Sequence, residues 1–586
     1  MFNFYTAYLS IVIFDSAFLG YLIFRNKEKI ISQYKISLFK ERVEEYFSDK
    51  NNIFCFASLV FIIVISIMIQ MVIINDSDSL IYTDPFKWYQ TVFYLIDNGH
   101  IEYEYLDYNY PSGHTFFNAG VLLIYPDYIF GYYYFKLISL YMLSLYIIIA
   151  FIIIRKLFKK HYLVILALLF ILISRYFIAR TILYLSSSLA SIILVISILI
   201  VINKYPDYII GIFLAGLYLI HPLTTFYYIF VLFSFYVFKF LLFIKNRKNF
   251  LKQTYSIVIL ISISLVLLIP YFLSIYIVYN DSFFDFLVHF SERFTNFEDS
   301  LYNVFYEDLN NYLLEMVFPL EFFEPIIDVR LLDVFDEIFR NSIFLFFIFA
   351  IIGLLIYVKP KKSQKDLEIL AYFKFFIIMI IIFFFLPSFF YNLGFFIKFR
   401  KRILQSFCLP VIIITVYAIE WVVNKARLFT DYLIHKFAFY KKFINSRKPY
   451  SRLFRIDSIM VGFLLVSASS TYYINRWPDF YYYYDDNLVE VVLYLRENAD
   501  PDSVILREEL DSAVIFRMLY DMKVKEWDLK ENSTYEELLL EVQQRDIDYL
   551  IFPKDYLDNE RIEDYLSRNP DFKEKLENSD YILFKT

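Results

Sequence analysis

Long apolar segments alternate with charged segments along most of the chain. Crossing the roughly 30 Å hydrocarbon core of a bilayer takes about 20 apolar helical residues, and the chain holds about twelve such segments with few charges. They begin near Phe4, Phe54, Phe116, Tyr162, Ile182, Tyr208, Leu223, Tyr255, Asn341, Tyr372, Ile403 and Ile456. The pattern predicts an α-helical polytopic membrane protein with about twelve transmembrane helices.

The third of these segments is irregular. Its first part, residues 116–125, is short, and a longer apolar run covers residues 131–154. Tyr125-Pro126-Asp127 separates the two parts, and proline disfavours continuation of a helix. We therefore expect a re-entrant or interfacial helix before the true span.

The pattern changes after Trp477-Pro478, where short segments become charged and periodic. Strands are predicted at 503–506 and 549–552 with a third at 581–584, and helices at 488–497, 512–520, 535–543 and 560–567. This alternation predicts a small α/β domain with a parallel core. The segment has no glycine-rich phosphate loop and no His/Cys cluster, so we expect it to be accessory and not catalytic.

Composition supports the membrane interpretation. Hydrophobic residues make up 59% of the chain and aromatic residues 22%, against roughly 45–50% apolar residues in ordinary soluble domains. The predicted organisation has three parts. Residues 1–52 form an N-terminal transmembrane helix and a basic cytoplasmic segment, residues 53–475 a transmembrane domain with outer loops at 76–114 and 281–340, and residues 476–586 a soluble domain.

Charge sets the predicted orientation. Lys and Arg collect in residues 25–50, 155–160, 245–252, 359–365 and 425–455. Basic loops stay in the cytoplasm, so the two outer loops and the C-terminal domain are predicted to be extracytoplasmic, in the cell membrane. The basic loops suit anionic membrane lipids. The net charge of −6 is divided between compartments, so it indicates no nucleic-acid partner.

Only two cysteines are present, both in predicted spans, so no disulfide framework is expected.

The first outer loop carries the most informative motifs. It contains Asp84-Pro85-Phe86 just beyond a span, then Asn98-Gly99, and it closes with Tyr110-Pro111-Ser112-Gly113. This arrangement resembles the GT-C superfamily of membrane glycosyltransferases. Within that superfamily, Asp84-Pro85-Phe86 most resembles the Asp-Pro-aromatic run of oligosaccharyltransferase catalytic subunits.

Three further places are similar to the same superfamily. Residues 175–188 resemble an outer turn with Arg and Tyr, His221-Pro222-Leu223-Thr224-Thr225 resembles a His-Pro loop, and Arg400-Lys401-Arg402 resembles the basic group that opens a late span. The resemblance is spread over residues 54–421. It implies a GT-C-like transmembrane domain.

The resemblance also implies an activity. GT-C enzymes of this kind transfer a sugar, with inversion, from a polyprenyl-phosphate or polyprenyl-diphosphate carrier on the outer face of the membrane. Such a reaction needs a carboxylate near the anomeric carbon and cations for the departing phosphate. Asp84 is the candidate for the first role, either as a base or as a ligand of a divalent cation such as Mg²⁺ or Mn²⁺.

Other residues are assigned by the same resemblance. Arg402 is the candidate for the donor phosphate, with Arg400 and Lys401 as alternatives that one helical turn would distinguish. Arg180, His114 and His221 are candidates for lining the same pocket. Asp107 is a candidate second metal ligand, and Glu102 and Glu104 are further carboxylates of the loop.

Each assignment has a structural alternative. Asp84 precedes Pro85, a common helix opening, and so acts as a helix cap in that interpretation. His221 is equally explained as a hydrogen-bonded loop residue. The acidic residues of the first outer loop are explained as a solvated surface, and the Arg400–Arg402 group as structural. Basic residues usually collect on the cytoplasmic side, whereas Arg400–Arg402 are predicted to lie outside. This exception favours a role in phosphate binding over a structural one.

The acceptor is left open by the sequence. The chain lacks the Trp-Trp-Asp motif that oligosaccharyltransferases use to read a protein sequon, since Trp477 and Trp527 stand alone. A glycan carried on a lipid, a cell-wall polymer and a protein hydroxyl all remain candidates. A transporter or flippase of lipid-linked glycans is the alternative from another class, although no inverted repeat is visible. A non-catalytic scaffold with the same fold is the third alternative.

Overall fold

The computed structural model is mostly helical. It describes residues 48–74, 83–99, 113–173, 181, 186–243, 247–279, 342–356, 364–389, 406–436, 486–508, 513–519, 522–527, 546–553 and 573–585. The helices are α1 Lys50–Ile74, α2 Thr83–Asn98, α3 Gly113–Leu122, α4 Tyr128–Leu157, α5 His161–Ile173, α6 Ser186–Asn203, α7 Asp207–Ile220, α8 Pro222–Phe243, α9 Arg247–Tyr279, α10 Ser342–Leu355, α11 Gln364–Phe389, α12 Cys408–Lys436 and α13 Asp486–Asn498. The strands are β1 Val504–Glu508, β2 Lys523–Trp527, β3 Tyr549–Pro553, β4 Lys573–Glu577 and β5 Tyr581–Lys585.

Several helices are long and apolar enough to cross a bilayer, so the chain is an integral membrane protein. Within the described residues there are 6 candidate spans: Asn52–Met71, Tyr128–Leu157, Ser186–Asn203, Pro222–Leu242, Leu251–Leu273 and Cys408–Lys425. Two shorter apolar helices, His161–Leu172 and Asp207–Ile220, lie among them. The segments predicted to begin near Phe4 and Ile456 lie outside the described residues. The total of about twelve spans therefore stays a prediction.

The irregular third segment divides as the sequence predicts. Helix α3 ends at Leu122, and α4 begins at Tyr128 after the turn that contains Pro126. The carboxylate of Asp127 accepts a hydrogen bond of 2.6 Å from the backbone N–H of Phe130 and so caps α4. A short helix therefore precedes a full span.

Close packing between the membrane helices depends on small residues. A Cβ at Gly211 in α7 would lie 2.8 Å from the carbonyl oxygen of Leu260 in α9, and one at Gly353 in α10 would clash with the side chain of Ile414 in α12. These helix pairs approach closely because a side chain is missing at the crossing point.

Hydroxyl groups join helices α6, α8 and α11 in the interior. The hydroxyl of Tyr228 lies 2.9 Å from that of Ser197 and 2.9 Å from that of Tyr372, and all three residues are buried. Polar groups inside a bilayer must find partners within the protein, which this chain of hydroxyls supplies. At one end of the same helices, Lys204 forms an ion pair of 3.2 Å with Glu368.

The C-terminal unit, formed by α13, the five strands and a 3₁₀ helix at Ala513–Leu519, contains a mixed sheet. The strand order is β2-β1-β3-β5-β4. Strand β1 pairs in parallel with β2 and β3, while β5 pairs antiparallel with β3 and β4. Strands β1, β3 and β5 lie where the sequence predicts strands, and they supply the buried residues of the sheet.

Two features of this unit differ from the prediction. Strands β2 and β4 were missed because their sequences, Lys-Val-Lys-Glu-Trp and Lys-Glu-Lys-Leu-Glu, are highly charged. Both are edge strands, where lysine is common because it discourages pairing with other chains. The segment at 512–520 was predicted to be an amphipathic helix, but the structure has a 3₁₀ helix at Ala513–Leu519.

Candidate functional site

Asp84 lies in the first turn of helix α2. The helix begins at Thr83, so Asp84 lies inside it. An N-cap residue would instead stand just before the first helical residue. In the first turn of a helix, the positive end of the helix dipole stabilises a carboxylate. Proline is tolerated there because the N–H that it lacks would have no partner within the helix. The helix stops at Gly99, which has φ 70° and donates its N–H to Leu95 at 2.9 Å, as the Asn-Gly motif predicts.

The next turn of α2 brings Trp88 onto His114. Trp88 follows Asp84 by one helical turn in the sequence. The rings of Trp88 and His114 have centroids 4.8 Å apart at 64°, in an edge-to-face arrangement. The beginning of α2 therefore lies next to the beginning of α3, within the region that the sequence predicts to form the site.

His114 is held in a buried polar cluster. The amide of Asn118 donates to the backbone oxygen of His114 at 2.9 Å, and the hydroxyl of Tyr134 donates to the Asn118 oxygen at 2.8 Å. His114 is fully buried, and burial lowers the pKa of its imidazole to about 3. The ring is therefore neutral at ordinary pH, which suits a hydrogen-bonding partner for a sugar and excludes a standing charge for phosphate binding.

The helix start that carries His114 also packs on the end of α7. A Cβ at Gly113 would clash with the backbone carbonyl of Leu219, two residues before His221. Glycine is required for this approach because the obstructing atoms belong to the backbone, which cannot rotate away. The Tyr-Pro-Ser-Gly motif thus ends at the residue that lets α3 meet the His221 turn.

His221 occupies the turn between α7 and α8. Its N–H donates to Leu217 at 2.8 Å, and its Nδ1 accepts the backbone N–H of Thr224 at 3.1 Å. The neutral ring therefore carries its proton on Nε2. This geometry matches the hydrogen-bonded loop interpretation, because the imidazole caps the first turn of α8 in the way a side-chain oxygen would.

The same turn contacts the segment that follows the basic group. The hydroxyl of Thr224 lies 2.8 Å from His221 Nδ1 and 3.0 Å from the hydroxyl of Ser406, which is 182 residues away in the chain. Arg402 precedes Ser406 by only four residues, and four residues span at most about 14 Å. Ser406, four residues after Arg402, is thus anchored at the His-Pro turn.

Several predicted site residues cannot be placed. Arg180, Arg400, Lys401, Arg402, Asp107, Glu102 and Glu104 lie outside the described residues, and their roles stay predictions. The sequence analysis did not single out Trp88, Asn118, Tyr134 or Ser406. The spacing of Asn118 four residues after His114 was a usable signal, because residues i and i+4 face each other on a helix.

The described part of the chain contains no complete set of ligands for a divalent cation. Among those residues, no three His, Cys, Asp or Glu side chains are grouped as metal ligands would be. Mg²⁺ and Mn²⁺ prefer carboxylate and other oxygen ligands. Asp84 and Asp107 therefore stay candidate metal ligands from the sequence alone.

Gly113→Ala is expected to destabilise the protein. The new methyl group would push α3 away from the carbonyl of Leu219, and overpacking of this kind costs about 1–3 kcal/mol. Gly120→Ala in the same helix is the matched control, because nothing lies within 4 Å of the added Cβ. Thermal unfolding in detergent should show a lower midpoint for Gly113→Ala and an unchanged or higher one for Gly120→Ala. Equal midpoints for the two variants would contradict the close approach.

Acid is expected to destabilise the protein through His114. The pKa of its imidazole is about 3 in the folded protein and about 6.5 in the unfolded chain. Between these values the unfolded state binds the extra proton, so stability falls as pH decreases, by at most about 1.4 kcal/mol per pH unit. The free energy of unfolding measured from pH 7 to pH 5 should fall less steeply in His114→Gln. Identical pH dependence in variant and wild type would contradict this.

Comparisons with known proteins give matches in structure alone. No protein-family model matches the chain, and no curated protein matches its sequence. The structure is similar to the crystal structure of ArnT, a GT-C glycosyltransferase, from Cupriavidus metallidurans bound to undecaprenyl phosphate. The TM-score is 0.49 and the identity 10%, over 90% of this chain and 97% of ArnT. ArnT in the apo state gives the same TM-score and coverage at 11% identity. A TM-score just below 0.5 does not by itself assign a fold, and this identity assigns no activity.

Proposed function

We propose that this protein is a membrane glycosyltransferase that transfers a sugar from a polyprenyl-phosphate or polyprenyl-diphosphate carrier to an acceptor on the outer face of the membrane. The observation that carries the proposal is the meeting of four separate sequence segments. Trp88 in α2 contacts His114 in α3, α3 meets α7 at Gly113, and the His221 turn contacts Ser406.

This meeting is relevant because the resemblance to GT-C enzymes rests on these segments. Asp84 lies one turn before Trp88, His221 opens the His-Pro motif, and Arg402 lies four residues before Ser406. Residues so far apart in sequence have no local reason to be close. The contacts that join Trp88 to His114, α3 to α7 and Thr224 to Ser406 support a shared pocket in which a carboxylate, neutral imidazoles and a cation act on one substrate.

The chemistry follows from these residue types. In a single displacement, an oxygen of the acceptor attacks the anomeric carbon while the bond from that carbon to the carrier phosphate breaks. The acceptor proton passes to a base, and the phosphate leaves with the bonding electron pair. Asp84 is the proposed base, and Arg402 the proposed group that stabilises the charge on the phosphate. Inversion at the anomeric carbon follows from attack opposite the leaving group.

The environment of the pocket fits a lipid-linked donor. The His221 turn leads into α8 and Ser406 precedes α12, and both helices contain candidate membrane spans, so a polyprenyl tail can remain in the bilayer while the sugar phosphate reaches the polar residues. The pattern of basic segments in the sequence supports a location of this end of the helices and of the C-terminal unit outside the cytoplasm. If a divalent cation takes part, Asp84 and Asp107 are the proposed ligands, and its charge would add to that of Arg402.

The function is tested with the purified full chain in proteoliposomes. The donor is the radiolabelled polyprenyl-linked sugar pool extracted from cells, and a cell-envelope extract supplies acceptors. The proposal expects label to move from the carrier to a new product. Movement of intact carrier-linked glycan across the bilayer, without a new product, would instead identify a flippase. If the folded protein shows neither transfer nor movement of the carrier, the scaffold alternative remains.

A further inference from the structure

We propose that Arg496 is a positioning residue through which the C-terminal unit fixes the orientation of α2, the helix that carries Asp84. The effect on sugar transfer rests on the proposed function, whereas the effect on α2 itself does not. The C-terminal unit thereby acts on the site through α2, although no catalytic motif was found in its sequence.

Arg496 is buried where the C-terminal unit meets the membrane helices. Its side chain is 2% exposed, and its Cζ lies 3.7 Å from the centroid of the Tyr128 ring at the start of α4. Its Nη2 lies 3.9 Å from the carboxylate of Asp97, near the end of α2. A buried guanidinium is costly unless charge and aromatic partners surround it, so these contacts specify a fixed position.

Tyr128 links Arg496 to one face of α2. The Tyr128 hydroxyl donates to Asp97 at 2.8 Å, its ring lies 4.8 Å from that of Phe93, and its backbone oxygen accepts from the Tyr89 hydroxyl at 3.0 Å. Residues 89, 93 and 97 are spaced by one helical turn, so they form a single stripe. All three residues of the stripe contact Tyr128, and Arg496 contacts Asp97 at the C-terminal end of the stripe.

A second contact connects α2 to the C-terminal unit. The 3₁₀ helix Ala513–Leu519 packs against both α2 and α13. Its Phe516 ring lies 4.6 Å from the guanidinium of Arg507, a buried residue of β1. Helix α2 is therefore held by α3 and α4 on one side and by the C-terminal unit on the other.

The distance between the two ends of α2 explains why this contact matters for Asp84. Asp84 and Asp97 are about 13 residues apart, or roughly 20 Å along a helix. A helix transmits a change in tilt from one end to the other, and a displacement of about 1 Å at a reacting group can cost about 100-fold in rate. Arg496 would thus act on Asp84 without touching the substrate.

The test compares Arg496→Gln with Glu497→Gln, an exposed neighbour on α13 that serves as the matched control. Backbone hydrogen exchange is measured by mass spectrometry in the full detergent-solubilised chain. We expect Arg496→Gln to speed exchange in residues 83–99 while β1 and β3 keep the wild-type rate. Transfer should fall about 10-fold to 100-fold in kcat, with a smaller change in the donor KM, because Arg496 shifts α2 without touching the donor itself. Glu497→Gln should behave as wild type.

Two more variants separate positioning from simple loss of folding. Tyr128→Phe keeps the aromatic ring and removes the hydroxyl that Asp97 accepts from, so it should speed α2 exchange less than Arg496→Gln does. Arg496→Gln combined with Asp97→Asn should be no worse than Arg496→Gln alone, because both act on one contact. Unchanged α2 exchange in Arg496→Gln, or an equal rise in β1 and β3, would overturn the inference. If wild type transfers no sugar, the exchange results still decide it.

Discussion

Asp84→Asn is expected to lower sugar transfer by about 10²-fold to 10⁴-fold, the range that a positioned acid or base contributes. The amide is nearly the same size as the carboxylate and still suits the start of a helix, so α2 should form normally. It cannot accept a proton or bind a cation strongly. The loss should therefore appear in kcat, while the donor KM changes little. The measurement is initial-rate transfer in proteoliposomes at saturating donor.

Asp127→Asn is the matched control for this substitution. It makes the same chemical change at the start of α4, where Asp127 caps the helix and is exposed. It should retain full activity. Full activity in Asp84→Asn would remove Asp84 from the reaction, and equal losses in both variants would indicate a general effect of changing a helix start.

Arg402→Ala is expected to lower transfer by about 10²-fold to 10³-fold, as loss of one group that stabilises developing charge does in other enzymes. The physical reason is that the departing phosphate gains charge as its bond to the sugar breaks. Ser406, four residues after Arg402 in the sequence, is tied to the His221 turn through Thr224. Steady-state kinetics on the purified variant give the measurement.

Arg400→Ala and Lys401→Ala provide the comparison, because these two residues are the alternatives to Arg402 for the phosphate role. One of the three variants should lose far more activity than the others. If Arg400→Ala has the largest effect, the phosphate role moves to that residue. Wild-type activity in all three would contradict phosphate binding by this group and leave it a structural role.

The six candidate spans in the described residues were predictable from sequence because their causes are local. A span is recognised by its length and lack of charge, and the break at Pro126 follows from the chemistry of proline. The stop at Gly99 was equally local, since it needs only a residue that adopts a positive φ. The edge strands β2 and β4 were missed because their charged sequences reflect exposure at the sheet edge and not the pairing itself.

The candidate site was predictable as a set of motifs but not as an arrangement. The sequence singled out His114 and His221, yet the contact of Gly113 with Leu219 and that of Thr224 with Ser406 join segments distant in the chain. Such contacts depend on tertiary packing, which leaves no periodic signal. The same applies to Arg496, whose pattern in α13 is that of an ordinary amphipathic helix, although its side chain is buried against Tyr128.

The central claim is that a polyprenyl-linked sugar binds where α2, α3 and the His221 turn meet. The most direct measurement is photocrosslinking of the full chain in proteoliposomes with a polyprenyl-phosphate sugar that carries a photoreactive group on the sugar, followed by mass spectrometry of the labelled peptides. The account predicts saturable labelling within residues 83–99, 113–122 or 219–225, reduced by excess unlabelled donor. Labelling confined to the opposite end of the helices, around Lys204 and Glu368, or no saturable labelling, would contradict it.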